Sequence, residues 1–291
     1  MRTVSVTIDA ATVGRTVQSV LANELSLSGG LISRLKRRSN GITVNGQPAY
    51  TTHVLMEGDV LMAIVSDPPD ARRALPLALP LDVLYEDKDI LILNKPAGLT
   101  VHADSRKPGE LTLDNALAAY LPQDEFPHPV SRLDRGTTGV ITYAKSGYVH
   151  ELLRRMLHTP DFPRTYLAVA AGVVDPPAGS IALPIGFAPG STYRHAVTPD
   201  GASARTEYRT LSVKDGNTLL SLVPCTGRTH QLRVHMAAIG YPLVGDWLYG
   251  ARDARIDRPA LHAYTLHLVH SLTGAVIDLA AEVPADFLLC L

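Results

Sequence analysis

Asp134 stands between two arginines, Arg132 and Arg135, in a polar stretch running from His128 to Ser146. Thr137, Thr138 and Gly139 make a tight turn after it, and Val140 to Tyr143 is an apolar run. The stretch therefore reads as a loop feeding a strand. A carboxylate beside cations stays ionised, which suits a nucleophile. It suits a surface ion pair equally well, and the residues alone leave both open.

Such a carboxylate needs a framework, and the 291-residue chain is long enough for a large domain plus a small one. Hydrophobic residues make up 46% and charged residues 19%, the composition of a globular protein. No segment approaches the roughly 20 uninterrupted apolar residues of a membrane-spanning helix. Met1 to Ser5 are not followed by the apolar core and cleavage site of a signal peptide. Cys225 and Cys290 are far apart and form neither a disulfide framework nor a metal set, so a cytoplasmic location is expected. The net charge of −1 gives no bulk attraction for nucleic acid, but binding depends on where charge sits. Arg34, Lys36, Arg37 and Arg38 crowd into five positions.

Residues 1–66 read as a small α+β module. Val4, Val6 and Ile8 alternate as in a strand, and Thr16 to Leu25 has helical spacing. Ser28-Gly29-Gly30 reads as a break, and Leu31 to Arg38 as a short helix ended by Asn40-Gly41. Ile42 to Val44 is a short strand, Asn45-Gly46 a hairpin turn, and Val60 to Val65 a closing strand. Residues 67–80 are proline-rich and read as a linker. In 81–291, strand-like runs (Ile90–Leu93, Val140–Tyr143, Tyr166–Ala170, Leu219–Val223, Val276–Leu279) mix with helical patterns (Thr112–Tyr120, Tyr148–Leu157, Thr229–Ile239). The mixture lacks strict alternation, which predicts an α+β domain around a mostly antiparallel sheet.

The segments "LSLSGGLISRLKRRSNGITVNG" (25–46) and "LMEGDVL" (55–61) resemble the alpha-L RNA-binding module known from a small-subunit ribosomal protein. The resemblance implies that Arg34, Lys36, Arg37 and Arg38 meet RNA; the alternative is a solvated helix face. "RLDRGTTGV" (132–140) resembles the R-L-D-x-x-T-S-G signature of RluA-type pseudouridine synthases. Four further segments resemble that family in its order: "DKDILILNKPAGLTVHA" (87–103), "RTYLAVAAG" (164–172), "CTGRTHQLRVHMAAIGYPLVGDWLYG" (225–250) and "LHAYTLHLVHSLTG" (261–274).

This resemblance implies an RNA uridine isomerase whose nucleophile is Asp134. By motif position, Arg233 holds that carboxylate ionised and Tyr166 stacks on the target base. Arg132 fills the vacancy left when the uridine leaves the stack. The reaction detaches uracil from ribose at nitrogen and rejoins it through carbon. No cofactor or metal is expected, because no atoms are gained and no electrons exchanged. Ribosomal RNA is the expected partner, transfer RNA the second choice, and the chain is expected to be a monomer. Tyr166 could instead be core and Arg233 a buried structural arginine. His230 and His235, five apart, do not have helical zinc-pair spacing and read as hydrogen-bonding scaffold. Lys95 reads as a phosphate contact or as a turn stabiliser. Ser131 stands where the family usually has histidine, Arg164 replaces a lysine, and "HTPDFP" (158–163) carries two prolines. A catalytically silent RNA-binding protein is the alternative function. A glycosidase would need a second positioned acid, and the motifs display one obvious carboxylate.

Overall fold

The computed structural model describes residues 2–67, 74–103, 109–123 and 125–291. Its first part holds β1 (Thr3–Thr7), α1 (Val17–Asn23), α2 (Gly29–Leu35), β2 (Ile42–Val44), β3 (Gln47–Pro48) and β4 (Val60–Ile64). The strands form a sheet in the order β1-β4-β2-β3. Val44 pairs with Gln47 across Asn45 and Gly46, whose φ of 51° and 78° suit the predicted two-residue turn. The helical pattern breaks between α1 and α2 as expected, but Ser28 also starts the second helix. Its hydroxyl accepts the Leu31 N–H at 3.3 Å, so both glycines fall in the first turn. The helix ends at Leu35, and Lys36, Arg37 and Arg38 lie beyond its last turn.

Of the proline-rich stretch, 68–73 lie outside the described residues. Residues 74–80 run without regular elements. There the Leu75 carbonyl accepts from Asn115 Nδ2 at 2.8 Å, and the Leu77 N–H donates to the Asn115 carbonyl.

The second part comprises β5 (Val83–Glu86), β6 (Ile90–Lys95), α3 (Leu113–Tyr120), β7 (His128–Pro129), β8 (Thr138–Ala144), α4 (Gly147–Met156) and β9 (Arg164–Ala171). It continues with β10 (Ala178–Ile181), β11 (Ile185–Phe187), β12 (His195–Val197), β13 (Thr206–Lys214) and β14 (Asn217–Pro224). The last elements are α5 (Gln231–Ala238), β15 (Leu261–Val269), β16 (Val276–Ala280) and α6 (Ala285–Leu288). A large sheet runs β10-β13-β14-β9-β15-β8-β6-β5, with β16 on β15 and β7 on β8. Its pairs are antiparallel except β15 with β8. The α+β, mostly antiparallel architecture is the one expected from the sequence.

Alternation along the central strands explains the two apolar layers. Ile90 and Ile92 of β6 face the layer that holds Val149 and Leu153 of α4. Leu91 and Leu93 face the layer that holds Leu113 and Leu117 of α3. The first layer is continuous with Val17, Leu21, Leu35 and Leu61, so the N-terminal sheet and helices share a core with the large sheet. Tyr148 also donates its hydroxyl to the Leu25 carbonyl at 2.9 Å, and Arg2 pairs with buried Asp89. Among the described residues no helix is long and apolar enough to cross a membrane.

Candidate active site

The loop from β7 to β8 carries Asp134, and Gly139 fixes how that loop enters the sheet. Gly139 has φ 103° and pairs in parallel with Ala263. A Cβ on Gly139 would overlap the Ala263 carbonyl, so no larger residue fits there. Ala263 in turn pairs with Tyr166, which places Tyr166 two strands across from the residue that ends the Asp134 turn.

Two buried cations hold the same loop from beneath. Lys95, 1% exposed, donates to the carbonyls of Pro96 (2.8 Å), Leu99 (2.8 Å) and Arg135 (3.3 Å). Burial draws its pKa down to about 7, opposed by the charge of Asp134. Three carbonyls use all three N–H bonds of an ammonium, so the charged form satisfies the geometry. Of the two roles read for Lys95, turn stabilisation is the one seen. Arg258 donates to the Gly136 carbonyl at 3.2 Å, while its Nε and Nη2 grip Asp286 of α6 at 2.7 Å.

Neither neighbouring arginine pairs with Asp134. Arg135 turns to the Gly98 carbonyl (2.9 Å) and Glu110 (3.2 Å). Arg132 is exposed, and no ion pair joins it to Asp134 among the described residues. The cation comes instead from α5, where Arg233 Nη1 donates to Asp134 Oδ2 at 3.0 Å. Arg233 is itself fixed by Asp246, with Nε–Oδ2 at 2.7 Å and Nη2–Oδ1 at 2.8 Å. Asp246 Oδ1 also accepts the N–H groups of Leu248 and Tyr249. Burial opposes the Arg233 charge, but hydrogen bonds to Asp246 and the charge of Asp134 outweigh it and raise its pKa. The guanidinium also packs on the Tyr249 ring, 5.0 Å from its centroid.

Helix α5 is buried along most of its length, and polar residues line it because each has a partner. Gln231 donates to the Arg205 carbonyl and the Thr206 hydroxyl and accepts from Thr226 Oγ1. His235 spans Thr206 Oγ1 and the Leu183 carbonyl, both at 2.9 Å. It is the scaffold expected, whereas His230 points its Nε2 toward Asp134 at 3.8 Å.

Tyr166 is buried in β9. Burial raises its pKa, Arg164 opposes this, and the charge of Asp134 adds to it. Its hydroxyl finds no hydrogen-bond partner among the described residues. Asp134, Arg233 and Tyr166 thus converge, with the Asp134 side chain 24% exposed and open to a substrate. The four cations of the first part lie elsewhere. Arg34, Lys36 and Arg37 are exposed, while Arg38 is half-buried and donates to the Ser66 carbonyl.

Sequence reasoning missed Asp246 and Tyr249. Both lie inside the quoted 225–250 segment, and a polar acid at the end of an apolar Pro-Leu-Val-Gly run was the available signal. The site holds two carboxylates rather than one, but both oxygens of Asp246 are occupied and buried. One further carboxylate–histidine group, Asp87, Asp89 and His270, lies with its ligand atoms within 4.8 Å of one another. His270 Nδ1 accepts the N–H groups of Leu272 and Thr273, so its proton sits on Nε2, facing Asp87 Oδ2 at 3.1 Å. With Arg2 on Asp89, this group is an ion-paired joint between the two parts and offers a metal no imidazole lone pair.

The fold and this cluster define an α+β protein that presents one partly open carboxylate, held by a fixed arginine, beside a buried tyrosine. Residues 89–238 match the family model described as RNA pseudouridylate synthase. The chain is 38% identical over 262 residues to "Ribosomal large subunit pseudouridine synthase D" of Yersinia pestis, covering 84% of this chain and 80% of that protein. It is 34% identical over 267 residues to "Uncharacterized RNA pseudouridine synthase YjbO" of Bacillus subtilis (strain 168), covering 91% and 94%. The solved structure of Human RNA Pseudouridylate Synthase Domain Containing 4 is similar at 26% identity and a TM-score of 0.58, over 72% of this chain and 91% of that one. The chain belongs to the RNA pseudouridylate synthase family, in its RluA-type branch, and is an RNA pseudouridine synthase.

Proposed function

We propose that the protein converts selected uridines in structured RNA, large-subunit ribosomal RNA foremost, with Asp134 as the nucleophile. The observation that carries this reading is the 3.0 Å contact of Arg233 with Asp134, made by a guanidinium whose other edge is locked on Asp246. A cation so placed keeps the carboxylate ionised and aimed while leaving it open to the substrate. Asp134 breaks the bond between uracil nitrogen and ribose. The base then turns, C5 displaces Asp134 from the ribose carbon, and the C5 hydrogen leaves to solvent while the freed ring nitrogen takes up a proton. Bonds are redistributed within one nucleotide, so the residues need no cofactor or metal. Tyr166 stacks on the base beside Asp134, and exposed Arg132 enters the gap in the RNA.

The relatives named as large-subunit synthases support the choice of ribosomal RNA. In this reading residues 1–66 are an alpha-L-type module, 67–80 the connection and 81–291 the catalytic domain. Arg34, Lys36 and Arg37 supply phosphate contacts, with Arg38 at their edge. The protein acts in the cytoplasm as a monomer. The test is tritium release from RNA labelled at uridine C5. Purified Asp134→Asn should release none above background, and release at the normal rate would remove Asp134 from the reaction.

A further inference from the structure

Asp134 has a second neighbour besides Arg233, the imidazole of His230. His230 precedes α5 with a left-handed backbone, φ 57°, and its side chain does not cap the helix. The ring turns instead to Tyr249, with Nδ1 2.8 Å from the phenolic oxygen. That oxygen already accepts the His195 backbone N–H at 3.1 Å. A phenol has one proton to give, and among the described residues His230 Nδ1 is the acceptor it meets. Nδ1 therefore accepts, and a neutral His230 carries its proton on Nε2, the nitrogen facing Asp134. Burial favours that neutral form, ahead of the charge of Asp134, which opposes it, and of Arg233 and His195, which add to it.

We propose that His230 is a positioning residue for Asp134, offering it an Nε2–H whose place is set by the His195 amide and the Tyr249 hydroxyl. The inference rests on the reading of Asp134 as the nucleophile. Tyr249 then serves both groups that face the carboxylate, since Arg233 packs on its ring and His230 Nδ1 accepts the hydrogen bond of its hydroxyl. At 3.8 Å the Nε2–H is too far for a hydrogen bond to Asp134 in this structure. Such contacts shorten when substrate enters, and here the approach needs no change of tautomer. Arg233 and His230 both face the same carboxylate oxygen, Oδ2, so two donors fix its place and limit the rotations that would misalign it.

The test uses total RNA from cells that lack this gene and were grown on uridine tritiated at C5. Such RNA contains the target whichever uridine it is. Single-turnover tritium release is followed over a range of RNA concentrations for the normal protein and for His230→Leu, His230→Gln, Tyr249→Phe and Asp134→Asn. His230→Leu should lower the maximal rate about 10- to 100-fold with half-saturation unchanged. His230→Gln, whose amide N–H falls near the place of Nε2–H, should recover to within about 3-fold of normal. Tyr249→Phe keeps the ring on Arg233 and should lose about 3- to 10-fold.

Full rate in His230→Leu, equal losses in the Leu and Gln variants, or a change confined to half-saturation would each overturn the proposal. If His230→Leu does not fold, Tyr249→Phe decides, and its full rate would overturn the proposal. Asp134→Asn separates the two readings. If it retains the normal rate, the nucleophile reading fails. If it is inactive while His230→Leu runs at full rate, only the His230 inference fails.

Discussion

Arg233 Nη1 meets Asp134 Oδ2 at 3.0 Å although ninety-nine positions separate the two residues in the chain. Arg135, next to Asp134 in sequence, is turned to the Gly98 carbonyl, and a helix formed late in the chain supplies the cation instead. Asp246 makes that delivery rigid by taking the other edge of the guanidinium.

If Asp134 carries the reaction, Asp246 should matter to it through Arg233. Asp246→Asn keeps the shape but removes the charge that fixes Arg233. The expected result is a loss of about 100-fold or more in turnover. Arg233→Ala leaves buried Asp246 uncompensated and should cost about 3–5 kcal/mol of stability. Urea denaturation and single-turnover rates measure both effects, and an Asp246→Asn enzyme at normal rate would contradict this account.

The Asp134 loop rests on Lys95 and Arg258. Lys95→Met leaves the carbonyls of Pro96, Leu99 and Arg135 without their donor. The expected destabilisation is about 2–4 kcal/mol, with turnover falling while RNA affinity is kept. Asp286→Ala releases Arg258 from α6 and should lower turnover in the same direction, more weakly because Asp286 is partly exposed. Chemical denaturation and filter binding separate the two consequences.

Acid should weaken the fold through buried histidines. Burial lowers the pKa of His235 and of His262 below their ordinary 6.5, against the raising effect of their carbonyl partners. Below pH 6.5 the unfolded chain binds protons that the folded chain refuses. Stability should thus fall as pH drops from 6.5 toward the folded pKa values, and be flat in this respect above about 7.5. Replacing His262, which hydrogen-bonds Thr138 Oγ1, with Gln should flatten part of the slope in urea midpoints measured from pH 5.5 to 7.5.

RNA gripping by the first part is best tested with charge, not truncation. Residues 1–66 share a core with Tyr148, Val149 and Leu153, so removing them would expose apolar side chains of α4. Reversing Arg34, Lys36 and Arg37 to Glu leaves that core intact. Affinity should fall uniformly, and the dependence of binding on log salt should flatten by about 1 for each lost phosphate contact. Unchanged affinity at low salt would assign the cations to solvent.

The parts of this structure that were legible in the sequence are local. Val140 to Tyr143 lies in β8, and the Thr229–Ile239 pattern contains α5, because apolar periodicity reports the element directly. The start of α2 was misplaced because Gly29 and Gly30 resemble a break, although a Ser28 cap makes glycine tolerable in a first turn. The partners of Asp134 were obscure for a different reason. Proximity along the chain favoured Arg132 and Arg135, while the true contact depends on strand register and on the packing of α5. The family resemblance picked out Arg233 and Tyr166, but beyond the acid that ends the Pro242–Gly245 run nothing local marked Asp246, and nothing marked Tyr249 or His195, whose roles exist only in the folded arrangement. The parallel pairing of β8 with β15, which places Gly139 against Ala263, was likewise invisible to alternation.

The central claim is that Asp134 carries the reaction, and a pseudouridine map tests it in the cell. RNA is compared from cells expressing the normal protein, Asp134→Ala, or none. The same specific sites should be lost with Asp134→Ala as with no protein at all. A map from the Asp134→Ala cells that equals the normal one, where the cells without the protein have lost sites, would contradict it.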